Sequence, residues 1–249
     1  MSINFGTGMR APWLARKIER ARHIIQEWLE VCEWKVYGSI SGGKDSLVMA
    51  YLIHSVYPEC PFVWVNQGHL AEWDDCIKLL YFLKENYKWN IVELCPPLGL
   101  IQLFKKFGMA FDGHFTALDR KHCEELLLKP IEEFAETNGI RGYAWGLRKE
   151  SKGRSMFLKK HGELYQKVDG SWVCSPVGFW TTQDIWSFID ANKIPYAAVY
   201  DKYGRDTFRN GCPIDTALAS MGKLAWLRKN EPSIFEEFSS IFPEVRNYA

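Results

Sequence analysis

The 249 residues contain no C-x-x-C pair, no run of 18 apolar residues and no excess of charge of either sign. Each absence removes a class of protein. Without paired cysteines there is no local hairpin for zinc or for iron and sulfur, and no iron–sulfur cluster is expected. Without a long apolar run no membrane span is expected, and no membrane partner. With 31 basic against 30 acidic residues, the whole molecule is not a polyanion binder. Nucleic acid is therefore a partner the composition permits but does not indicate. The first residues, Met1-Ser2-Ile3-Asn4-Phe5, lack a basic segment followed by an apolar one, so no secretory signal is expected. Seven cysteines are scattered at Cys32, Cys60, Cys76, Cys95, Cys123, Cys174 and Cys212. Their odd number argues against a disulfide framework and for a reducing, cytoplasmic compartment. Internal repeats and low-complexity tracts are absent as well. So are the two common glycine-rich phosphate loops, G-x-x-x-x-G-K-[ST] and G-x-G-x-x-G.

A different glycine turn is present. Ser39-Ile40-Ser41-Gly42-Gly43-Lys44-Asp45-Ser46 follows a strand-like run at 34–37 and precedes a helix-like run at 47–53. Glycine lets the chain turn sharply and lets a ligand approach the backbone. The helix that follows points its N–H groups and the positive end of its dipole at whatever occupies the turn, and an anion suits that place. Lys44 adds a positive charge, and Ser41 and Ser46 add hydroxyl donors. Asp45 either caps the helix or holds a magnesium ion accompanying phosphates.

Apolar content of 47% is ample for a core. Helical spacing runs over 12–32, with the basic residues Arg16, Lys17, Arg20 and Arg22 among the apolar ones; a solvated face is favoured over a partner surface there. Strands are expected at 34–40, 62–65, 89–94 and 141–146, and helices to about 56, over 71–87, 98–107 and 119–137, the last ended by Asn138-Gly139. A hairpin of the Asp-Gly type is expected over 164–174, then a helix from about 180 to 189, and further helices over 214–229 and 233–242. Strands alternating with helices predict an α/β fold, a doubly wound and mainly parallel sheet, with helical additions at both ends. In such sheets ligands sit at the carboxyl ends of strands. That places Asn66-Gln67-Gly68 and a second turn, Gly146-Leu147-Arg148-Lys149-Glu150-Ser151-Lys152-Gly153-Arg154, beside the first. Arg148 and Arg154 offer planar forks to phosphate or sulfate. Glu150 would orient an arginine or hold magnesium.

Ser41 to Ser46 resembles the S-G-G-x-D-S signature of the N-type ATP pyrophosphatases, the PP-loop superfamily. Gly146 to Arg154 resembles the G-x-R-x-x-E-S-x-x-R signature of the phosphoadenosine phosphosulfate (PAPS) reductase family. Residues 176–204 resemble that family's block running from P-[LV]-x-x-W-[TS] to [LV]-Y-D-x-G. The resemblance covers about 34–215 and implies an adenine nucleotide alpha hydrolase-like, Rossmann-like domain there. Residues 1–33 would be an N-terminal helix packed on it, and 216–249 C-terminal helices of the same domain. Asn66 stands where relatives carry an acid, and with Gly68 and Glu72 it would lie against the adenosine. Arg209 and Cys212 fall where relatives carry an arginine and a Gly-Cys. The implied nucleotide-binding set is Ser39, Ser41, Gly42, Gly43, Lys44, Asp45, Ser46, Asn66, Gly68, Gly146, Arg148, Arg154 and Arg209. Lys44, Asp45, Arg148 and Cys212 are the catalytic candidates, and Asp45 is the candidate magnesium ligand. Trp180, Trp186 and Phe188 are read as core.

The family's reductases act through a cysteine in an E-C-G-L-H-type tail, and 242–249 contain none. The resemblance therefore implies first an ATP α–β cleavage, for adenylyl transfer or a pyrophosphatase-driven modification. A sulfonucleotide reductase using Cys212 is the alternative, and a catalytically silent nucleotide-binding partner protein is the third class. The ligand would be ATP or PAPS, and a protein partner or a homodimer is compatible with either.

Overall fold

In a computed structural model the structure describes residues 12–109, 117–150, 155–205, 213–214 and 222–249. The chain divides into two compact units. The first comprises Met1–Trp64, Asp75–Glu93 and Phe134–Asn210, the second Val65–Asp74, Leu94–Glu133 and Gly211–Ala249.

The first unit holds a six-stranded sheet. Its strands are β1 (Val36–Ser39), β2 (Phe62–Val65), β3 (Ile91–Leu94), β4 (Gly142–Ala144), β5 (Leu164–Gln166) and β6 (Trp172–Cys174), in the spatial order β3-β2-β1-β4-β6-β5. β1 runs parallel to both β2 and β4, and β4 parallel to β6. The hairpin β5–β6 is antiparallel. Its turn places Gly170 at φ +86°, a conformation open to glycine, directly after Asp169. The helices of this unit are α1 (Pro12–Val31), α2 (Lys44–His54), α3 (Asp74–Asn86), α7 (Ser155–His161), α8 (Thr182–Asn192) and α9 (Val199–Tyr203).

Successive residues of a strand face opposite sides. A Cβ on Gly38 would lie 3.6 Å from Ile53 of α2, whereas the Tyr37 ring meets Phe134 edge-on. Helices thus cover both faces, and the fold is the doubly wound α/β type that the alternation predicts. The core includes Val36, Leu47, Val48, Phe62, Val63, Val173, Ile185 and Phe188, all buried. Trp180 and Trp186 are buried too, as expected.

The basic residues of α1 are not all solvated. Lys17 pairs with Asp184 and Arg20 with Glu163, and both carboxylates are buried. Burial pushes the Glu163 carboxyl up, against the pull of Arg20.

In the second unit α4 (Leu100–Phe107), α5 (Ala117–Cys123), α6 (Lys129–Thr137, which reaches into the first unit), α10 (Lys223–Asn230) and α11 (Pro232–Ile241) appear. Leu103, Phe104, Leu126, Leu227, Phe235, Phe238 and Val245 form its core. The continuous helix expected over 119–137 is broken by a π turn at Glu124–Leu128, where the Lys129 N–H reaches back to the Glu124 carbonyl. Pro130 explains it: proline donates no hydrogen bond and its ring clashes with the carbonyl four residues before, so a widened turn absorbs it. The helix expected from 71 begins only at Asp74. Of the helix expected over 214–229, residues 215–221 lie outside the described residues.

Candidate functional site

The strand order reverses between β1 and β4. From β1 the chain moves outward through β2 and β3, then returns to add β4 on the other side of β1. The loops leaving the carboxyl ends of β1 and β4 therefore flank the switch point, the place where open α/β sheets take ligands. The first loop carries Ser41–Ser46 and the second Gly146–Glu150.

Ser39 closes β1, and Gly42 then turns with φ +68°. A Cβ on Gly42 would lie 2.7 Å from the Cβ of Cys76, so no larger residue fits. Gly43 is the N-cap of α2, in extended conformation and without a side-chain cap. The Ser46 hydroxyl closes the turn instead. It donates to the Gly43 carbonyl at 3.0 Å, accepts the Ser41 N–H at 3.3 Å and lies 3.2 Å from the Ser41 hydroxyl. The Lys44 N–H at the helix start donates to the Tyr200 hydroxyl at 3.0 Å, and the Lys44 ammonium lies 5.4 Å from the centre of that ring.

The second loop comes down on this helix start. A Cβ on Gly146 would lie 2.5 Å from the backbone nitrogen of Ser46, which only glycine permits. Arg148 is 5% exposed. Its Nη1 donates to Glu150 Oε2 at 2.7 Å and to the Trp180 carbonyl at 3.1 Å, and its Nη2 donates to Thr182 Oγ1 at 3.2 Å. Its Nε lies 3.0 Å from Asp45 Oδ1. The Asp45 carboxylate in turn lies 3.6 Å from Lys44 Nζ. Glu150 Oε2 also accepts from the backbone and hydroxyl of Thr182. Burial alone would raise the Glu150 carboxyl, but the bonds from Arg148 and Thr182 outweigh it and hold it below the usual range.

The structure thus brings together Ser39, Ser41, Gly42, Gly43, Lys44, Asp45, Ser46, Gly146 and Arg148. Glu150 orients an arginine, one of its two expected roles. Arg148 is held by four protein groups, so it is an aimed and supported cation rather than a loose one. Asn66 and Gly68 belong to the second unit. There the Asn66 side chain accepts the Gly68 N–H at 3.0 Å, and Gly68 has φ +92°. Arg154, Arg209 and Cys212 lie outside the described residues. Tyr200, Thr182 and the Trp180 carbonyl are parts of the site that sequence reasoning missed. All three sit in the 176–204 block, whose aromatic content reads as packing.

Among the described residues no three His, Cys, Asp or Glu side chains gather as a metal cluster, and no helix is long and apolar enough to cross a membrane. A single magnesium ion asks less, one or two carboxylates with substrate phosphates. Asp45 Oδ1, a buried oxygen without a hydrogen bond, fits that demand.

The PAPS_reduct family model, described as the phosphoadenosine phosphosulfate reductase domain, matches residues 35–241. The chain belongs to this family. An uncharacterised protein of Methanocaldococcus jannaschii is 26% identical over 237 residues, 91% of this chain, though the chain spans only 44% of that protein. A phosphoadenosine 5'-phosphosulfate reductase of Xanthomonas oryzae is 21% identical over 207 residues, 82% of this chain and 76% of the relative. Among solved structures, Candida glabrata FMN adenylyltransferase in complex with ATP is similar in fold. Its TM-score is 0.55 at 19% identity, over 77% of this chain and 59% of that one. The fold is accordingly Rossmann-like, as in that adenylyltransferase, and named relatives in the family are enzymes.

Proposed function

We propose that this PAPS reductase family chain binds an adenosine nucleotide at the carboxyl ends of β1 and β4 and cleaves ATP between its α and β phosphates. The acceptor takes the adenylyl group, directly or as the activated stage of a modification. The observation that carries the reading is the convergence of Lys44, Asp45 and Arg148 at the start of α2, on two loops locked together at Gly146. An acceptor oxygen attacks the α phosphorus, and the bond to the bridging oxygen breaks with its electron pair leaving on pyrophosphate. Lys44 and Arg148, with the helix start and the hydroxyls of Ser41 and Ser46, stabilise the charge that develops there. Magnesium, held by Asp45 and the phosphates, would supply further charge neutralisation. The adenylyltransferase with ATP supports the reading by fold.

A sulfonucleotide reductase is the second reading, favoured by the Xanthomonas relative. It needs a thiolate. Burial pushes the Cys32 thiol up to about 11 and the Cys60 thiol to about 12, and Cys174 is raised as well, which disqualifies all three.

Pyrophosphate release from ATP with magnesium tests the first reading. Lys44→Ala should lower it at least 100-fold while the fold survives by circular dichroism. Sulfite release from PAPS with thioredoxin, lost in Cys212→Ser, would establish the second instead. A melting temperature unmoved by ATP or PAPS at saturating concentration would remove both, since specific binding at about 100 times Kd adds about 2.7 kcal/mol.

A further inference from the structure

Lys44 and Arg148 share one anionic atom. Asp45 Oδ1 stands 3.0 Å from Arg148 Nε and 3.6 Å from Lys44 Nζ. Both cations are buried, each 5% exposed, while the Asp45 side chain keeps 24% of its exposure. The contact with Arg148 differs from the others that this arginine makes. Glu150, the Trp180 carbonyl and Thr182 accept directed hydrogen bonds from its terminal nitrogens. Asp45 Oδ1 and Arg148 Nε are both buried, yet neither makes a hydrogen bond. Charge alone holds them together, and a contact of that kind exchanges for another anion at little geometric cost.

Two buried cations side by side repel each other and have lost their hydration, and an anion between them offsets both penalties. We infer that Asp45 is an internal counter-ion, standing at Lys44 and Arg148 in place of a phosphoryl group, and that it makes the site select cation-complexed polyphosphate over free polyphosphate. The inference rests on the nucleotide reading above. A free polyphosphate must take Lys44 and Arg148 from the carboxylate and then lie against an uncompensated negative charge. A polyphosphate that carries a divalent cation brings the compensation with it. Gly146, packed on the Asp45–Ser46 backbone, fixes the main chain from which the carboxylate extends. An amide at position 45 keeps the size and removes the charge.

Calorimetric titration of the full chain with inorganic pyrophosphate tests this, in EDTA and in excess magnesium, on wild type and Asp45→Asn. In EDTA the variant should bind at least tenfold more tightly than wild type. The gain from magnesium should shrink by a similar factor. Asp45→Ser, neutral and smaller, repeats the test should the amide fail to fold by circular dichroism. Equal or weaker binding by the neutral variants in EDTA overturns the counter-ion, while magnesium–ATP binding to wild type would leave the nucleotide reading standing. Binding of neither pyrophosphate nor ATP by any version overturns both.

Discussion

Gly146 acts through the methyl group it lacks. The carboxyl end of β4 rests on the first turn of α2, and the nearest atoms are backbone, which cannot rotate aside. Gly146→Ala should cost about 1–3 kcal/mol through overpacking and should weaken nucleotide binding more than stability alone explains. Denaturant unfolding and calorimetric titration with ATP check the two effects separately. A variant of full stability and full affinity would contradict the packing. At this scale the sequence was partly legible. Five specified positions from Ser41 to Ser46 identify the turn because each type has a local task there. Tyr200 was not legible, because an acceptor for the Lys44 N–H arrives from 156 residues away and no local pattern announces it.

Among the elements, α8 bears most directly on the site. Its N-cap Thr181 accepts from the Asp184 backbone while the Asp184 side chain accepts from the Thr181 backbone, a reciprocal capping box. The next residue, Thr182, bonds both Arg148 and Glu150. Fraying of this helix start therefore loosens the arginine. Thr181→Ala should cost about 1 kcal/mol of stability and should also raise the Kd for ATP, which a helix remote from the site would not do. Urea unfolding and titration together provide the check. The existence of the strands and their places along the chain followed from alternating apolar runs and glycine punctuation, whereas their spatial order did not. The interruption of 119–137 did not, although Pro130 carried the signal: helical periodicity continues across a π turn, and only the missing N–H betrays it.

For the whole molecule, the buried His122 and the half-buried His54 contribute to the response to acid. Burial holds His54 and His122 below the ordinary histidine range; near His122, Asp119 pulls partly the other way. The neutral rings are the forms the folded chain prefers, so the unfolded chain binds protons more readily. Stability is complete above about pH 6.5, the unfolded value, and declines as pH falls toward the depressed folded values. Glu163, raised by burial, works in the opposite sense. His54→Phe keeps the stacking on Trp89 and should flatten the loss between pH 7.5 and 5, read from urea midpoints. An unchanged slope would refute it. The division into two interleaved units could not be read from the sequence, because each is assembled from three separate stretches of chain. The ion pairs of α1 reach further than charge balance. The family match begins at 35, yet Asp184 and Glu163 are each neutralised from α1. A chain shortened to its recognisable family region would strand two buried carboxylates, one in the cap of the helix that steadies Arg148. The boundary of the family model and the stretch of chain on which these two carboxylates depend are different places along this polypeptide.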